Sequence, residues 1–86
     1  MSQPEKIFLD ARELEHPLPL ERAIGALRDM QANSYLYMVH RKNPIPLIDL
    51  ASEQGFRVLS KEDANNTWHI LISKDTTADL EALCDV

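Results

Sequence analysis

The fold class predicted by the 86-residue sequence is an α/β (α+β) two-layer sandwich, β-α-β-α-β-β, with a four-stranded mixed sheet and two helices on one face. Three observations carry this prediction. The apolar period alternates between that of strands and that of helices. The cluster Pro-x-Pro-Leu occurs twice, in "EHPLPLE" and "KNPIPLI", each time after an apolar run and before a helical stretch. Two further apolar runs, joined by a short polar stretch, then follow as a hairpin would.

The elements justify themselves in order. "KIFLD", residues 6–10, is a short strand closed by Asp10. From Leu20 the period changes: Leu20, Ala23, Ile24, Leu27 and Met30 recur at helical spacing, with Glu21, Arg22, Arg28 and Asp29 between them and Asn33 as a stop. Gly25 costs such a helix about 1 kcal/mol relative to Ala, which points to close packing on a neighbour. "SYLYMVH" is aromatic and β-branched and fits a central strand. Tyr35 and Tyr37 alternate there with Leu36 and Met38, so the face they share is a candidate dimer or partner surface.

"PLIDLASEQG" returns to helical spacing through Leu47, Leu50 and Ala51, with Gly55 placed for a left-handed cap. "FRVLS" and "TWHILIS" are the last strands, and Asn65-Asn66 between them suits a hairpin. In "TWHILIS", Trp68 shares a face with Ile70 and Ile72 and belongs to the core, while His69, Leu71 and Ser73 face the other way. His69 is assigned no role. Residues 1–86 form one domain with a core over roughly 6–74. The tail, 75–86, either holds a short capped helix anchored by Leu80 and Leu83 or frays.

Composition narrows the function. A chain this short has a small core, so a site would be a surface groove rather than a deep cavity. Asp and Glu outnumber Lys and Arg by 14 to 9, a net charge of −5. That balance disfavours nucleic acid or an anionic membrane as the main partner. Cys84, the one cysteine, has no internal disulfide partner, and no apolar run approaches a membrane span. The expected compartment is the cytoplasm.

The repeated prolines have a mechanical reading. Pro17 and Pro44 keep the incoming chain extended, and Pro19 and Pro46 suit the first helical position, where no N–H is missed. Each cluster is then a stiff strand-to-helix elbow. Parallel first and second strands place both elbows on one edge of the sheet, the edge where open α/β sheets bind ligands. Arg12 and His16 reach it from the first loop, and His40, Arg41 and Asn43 from the second.

"LDARELEHPLPLERAIGALRDMQ" resembles the opening of the TusA/SirA-like sulfur-carrier family, in which a strand ending in Leu-Asp leads to Cys-Pro-x-Pro and a helix ending near Met-Gln. The resemblance covers about Ile7 to Lys74 and implies the same βαβαββ order. In that family the cysteine before the first proline carries a persulfide between a donor and an acceptor, and the matching edge meets partner enzymes. Here that position is His16, and imidazole holds no persulfide. "HRKNPIPLIDLASEQGF" and "TWHILISK" look closer to cysteine-less, uncharacterised relatives, for which the resemblance implies the fold and little about chemistry.

The expected binding edge is therefore Arg12, His16, Pro17, His40, Asn43 and Pro44, with no catalytic residue, since no nucleophile–base–orienter set, phosphate loop or metal motif is legible. His16 either caps a backbone group or pairs with His40 as ligands to a transition metal or haem; no other cofactor is expected. Arg12 either pairs with Glu13 or Glu15 or binds an anion. The favoured expectation is a non-catalytic accessory module with a protein partner, itself a monomer or weak homodimer. The alternatives are a metal- or haem-binding domain on His16 and His40, and a sulfur-relay protein using Cys84.

Overall fold

Alternation along each strand sorts side chains onto two sides of a sheet, and here both sides are apolar enough to need a cover. The computed structural model describes residues 4–75 and 77–86. Its elements are β1 (Glu5–Asp10), α1 (Leu18–Asp29), β2 (Ser34–His40), α2 (Ile45–Glu53), β3 (Arg57–Glu62), β4 (Trp68–Ser73) and a short α3 (Leu80–Leu83). The sheet order is β1-β2-β4-β3. β1 and β2 are parallel, with Leu9 beside Met38, while β4 runs antiparallel to both β2 and β3 and inserts between them.

The predicted two-layer sandwich of a four-stranded mixed sheet with α1 and α2 on one face is the fold that forms. Leu36 and Met38 of β2 and Ile70 and Ile72 of β4 meet Ala23 and Leu27 of α1 and Leu47 and Ala51 of α2 on that face. Trp68 is half-buried against the same cluster. β2 is central, as its apolar run demands, and six of its seven residues are buried.

The other face departs from expectation. Tyr35, Tyr37, Val39 and Leu71 are buried beneath Leu80, with Ala78, Leu83 and Cys84 packed around them. The tail does not fray: α3 seats on this face, and Asp79 caps it by accepting from the Ala82 N–H at 3.3 Å. The Tyr35–Tyr37 surface is thus closed by the chain itself and is no free dimer surface. Within the tail, Thr76 lies outside the described residues, as do residues 1–3 at the start of the domain.

Local chemistry explains the helix limits. Pro19 and Pro46 occupy the second helical position rather than the first, since α1 begins at Leu18 and α2 at Ile45. The second position also lacks an intrahelical N–H partner, so proline is tolerated there for the same reason. The carbonyls of Pro17 and Pro44 accept the first helical bonds, from Glu21 and Ile48 at 3.1 and 3.0 Å. α2 ends as its sequence predicts: Gly55 takes φ +85°, and the Phe56 N–H returns to the Ala51 carbonyl at 2.9 Å. In the β3–β4 loop only Asn66 adopts positive φ; Asp63 organises the turn by accepting from the Asn65 and Thr67 N–H groups.

Gly25 corrects a second expectation. Nothing lies within 4 Å of the position its Cβ would take, so no close approach requires glycine there. Gly25→Ala should raise stability by about 0.5–1 kcal/mol, because alanine has less backbone freedom to lose. Urea unfolding measures this, and a lower midpoint for the variant would contradict an open position.

Candidate functional site

The parallel pairing of β1 with β2 brings both strand-to-helix loops to one end of the sheet. Between them opens a cleft of about 530 Å³, walled by Leu14, Glu15, His16, Pro19 and Leu20 from the first loop and α1, and by residues 40–44, Pro46 and Leu47 from the second loop and α2. His16, His40, Asn43 and Pro44 line it. Arg12 and Pro17 are not among its walls.

Each residue is held by local chemistry. His40 is the last residue of β2, on the same side of the strand as Leu36 and Met38, which directs it toward the helices. Its Nδ1 accepts the Lys42 N–H at 2.9 Å, which leaves the proton on Nε2. Burial, then the cations of Arg41 and Lys42, push its pKa down. His40 therefore offers the cleft a neutral N–H donor. The Asn43 Oδ1 accepts the Ser60 hydroxyl at 2.8 Å, tying the second loop to β3 and leaving the amide NH₂ as donor. His16 is exposed, and its ring forms no hydrogen bond to a described residue.

Arg12 is taken up elsewhere. Its Nε and a terminal nitrogen donate to the two oxygens of Asp10 at 2.9 and 2.8 Å, and its backbone N–H adds a third bond at 3.1 Å. These bonds hold the Asp10 carboxyl down to about 2. The partner is neither Glu13 nor Glu15, because Asp10 sits two residues away at the strand end, where an Asx-type turn presents both oxygens.

A closed transition-metal site does not fit this donor set. Among the described residues no group of three or more His, Cys, Asp or Glu side chains could hold a metal ion. Coordination through His40 Nε2 would also require moving the proton to Nδ1, against the Lys42 N–H. Cys84 belongs to the tail cluster on the opposite side of the sheet from the cleft.

A second polar assembly lies under the tail. A carboxylate only accepts, so His69 Nε2–H donates to Asp63 Oδ2 at 2.9 Å, leaving Nδ1 to accept the Tyr37 O–H at 2.7 Å. The Tyr37 oxygen in turn accepts the Asp85 N–H at 3.0 Å. Burial pushes Tyr37 up to about 12, while the His69 bond, then the Thr67 N–H, pull Asp63 down. His69 is thus a structural link. Sequence spacing gives no sign of it, since His69 and Tyr37 are 32 residues apart. The one available hint is alternation: His69 and Leu71 share the face that Tyr35 and Tyr37 occupy on β2.

Residues 8–74 match the model of a family described as an uncharacterized conserved protein, DUF2249. Among solved structures, a SirA-like protein from Desulfitobacterium hafniense is similar, with 25% sequence identity and a TM-score of 0.66 over 76% of this chain and 92% of that one. No curated protein matches the chain.

Proposed function

Because the chain belongs to the DUF2249 family of uncharacterised conserved proteins and has a SirA-like fold, we propose that it is a small cytoplasmic accessory module that docks a partner protein at the elbow cleft. The observation that carries this reading is the exposed apolar surface at the two helix starts that wall the cleft. Leu18 and Ile45, the first residues of α1 and α2, are 41% and 51% exposed beside lining prolines. Two exposed aliphatic side chains adjoining the lining prolines in sequence are a surface that binding would cover.

The chemistry between them is rich in donors. His40 Nε2–H, the Asn43 amide, Arg41 and Lys42 surround the cleft, with Glu15 as its one carboxylate. This end is locally basic on a chain of net charge −5. The partner segment it fits is apolar, with a carboxylate or exposed carbonyls. His16 stands where sulfur carriers have their thiol, so the module would retain docking without carrying a persulfide.

Affinity capture from the native host tests this with an Arg41→Glu/Ile45→Glu variant and a His16→Ala/His40→Ala variant. A partner that docks at the cleft should be recovered about tenfold less by the first, the equivalent of 1.4 kcal/mol. Equal recovery by wild type and both variants rejects the cleft as the contact.

A further inference from the structure

The sheet has one edge that no helix flanks closely. On β3, α2 and α3 both pack alongside, Asn43 bonds Ser60, and Lys61 approaches Glu81 at 3.8 Å. On β1, Phe8 is 56% exposed, the highest value among the large apolar side chains of the described residues. Its ring lies 6.1 Å from that of Tyr37, so it extends the tail-side apolar face to the rim of the sheet.

The backbone of β1 is open in a defined way. The Glu5 and Ala11 N–H groups donate to the Asn33 and Val39 carbonyls of the β2 side at 2.9 and 2.8 Å. Alternate residues of a strand direct their N–H and C=O to opposite sides, so odd-numbered residues serve β2. Lys6, Phe8 and Asp10 direct theirs outward, and no described residue pairs with them.

We propose that a second copy of this chain pairs antiparallel on the β1 edge, centred on Phe8, to form a weak symmetric dimer with a continuous eight-stranded sheet. This register is favoured on three counts. It sets Phe8 opposite Phe8, Lys6 opposite Asp10 and Asp10 opposite Lys6, so all three facing pairs are those whose backbone groups point outward. Opposite charges then face each other on both sides of the aromatic pair, with Asp10 still held by Arg12 and Lys6 exchanging its 3.9 Å approach to Asp85 for Asp10 of the second copy. On the helix side it sets Ile7 opposite Leu9, both half-buried at the margin of the main core, which extends that core across the two-fold axis. Sliding the strands by one residue would set Glu5 against Asp10 and Ile7 against Phe8, mismatching both charge and face. Pro4, with no N–H to give, ends the ladder. An edge of six residues buries less than a standard stable interface, so the association is concentration-dependent.

Sedimentation equilibrium from micromolar to millimolar chain should show a reversible monomer–dimer equilibrium, weakened about tenfold or more (1.4 kcal/mol per tenfold) in Phe8→Lys, which sets like charges opposite. The register is read by disulfide trapping in a Cys84→Ser background. Phe8→Cys should cross-link readily, because facing Cα atoms lie about 5.5 Å apart, whereas Lys6→Cys should not, because those positions are about 14 Å apart. A chain that stays monomeric at millimolar concentration overturns the proposal. So does a dimer unaffected by Phe8→Lys, or trapping as fast at position 6 as at position 8.

Discussion

Leu80→Asp is expected to strip the tail from the sheet and cost about 3 kcal/mol. Leu80 is 3% exposed and covers Tyr35, Tyr37, Val39 and Leu71. A carboxylate cannot be seated on that apolar face, so the variant gives up the tail's burial rather than bury a charge. In a chain of this size, total stability is on the order of 4–13 kcal/mol, so the loss is a large fraction of it. The urea midpoint should fall and a hydrophobic dye should bind the uncovered face. Ala82→Asp, at an exposed position of the same helix, should change stability by no more than about 0.5 kcal/mol. Equal midpoints for the two variants would show that α3 is not seated.

His69→Phe should cost about 2 kcal/mol, because it keeps the ring's volume but leaves the buried Tyr37 hydroxyl without an acceptor for its proton. Adding Tyr37→Phe removes the orphaned hydroxyl, so the double variant should be more stable than the two single losses predict, by about 1 kcal/mol. Additive losses would mean that the two side chains are not linked.

The same relay has a pH consequence. Asp63 titrates lower in the folded chain than its ordinary value of 3.8, because it accepts from His69 and Thr67. A depressed carboxyl stabilises the fold fully above its unfolded pKa, and that contribution fades as pH falls through the folded value. Asp10, held down to about 2 by Arg12, follows the same sign. Wild-type stability should therefore decline as pH falls from about 4 toward 2. His69→Phe should flatten that decline, since it removes the largest cause of the Asp63 shift. An unchanged acid slope would assign it to Asp10 and to Asp75, which the Thr77 side chain and N–H also hold down.

Much of the fold was legible because it rests on local rules. The alternation in "SYLYMVH" and "TWHILIS" fixed which residues share a face, and Gly55 marked the end of α2 through its need for positive φ. The repeated proline clusters announced both helix entrances to within one position. Gly25 misled, because glycine in a helix signals either close approach or indifference, and only the surrounding space distinguishes them.

The candidate site was legible in part. His16, His40, Asn43 and Pro44 share a cleft because their loops follow parallel strands, which the order of elements implied. The role of Arg12 was not legible, since Glu13, Glu15 and Asp10 are all near in sequence and loop geometry chose among them. The exposed Leu18 and Ile45 at the two helix starts were also missed. Helix periodicity assigns apolar residues to the core and says nothing about those left over at a helix start.

By itself, the sequence determined the order of elements, the two apolar sides of the strands and the helix entrances, all of which depend on neighbours within a few residues. The tertiary structure decided what covers each side. Whether the Tyr35–Tyr37 face meets solvent, a partner or the chain's own tail depends on contacts between segments dozens of residues apart. Such contacts are selected by total burial and by closing every hydrogen bond of Asp63, His69 and Tyr37, and no local pattern encodes that sum.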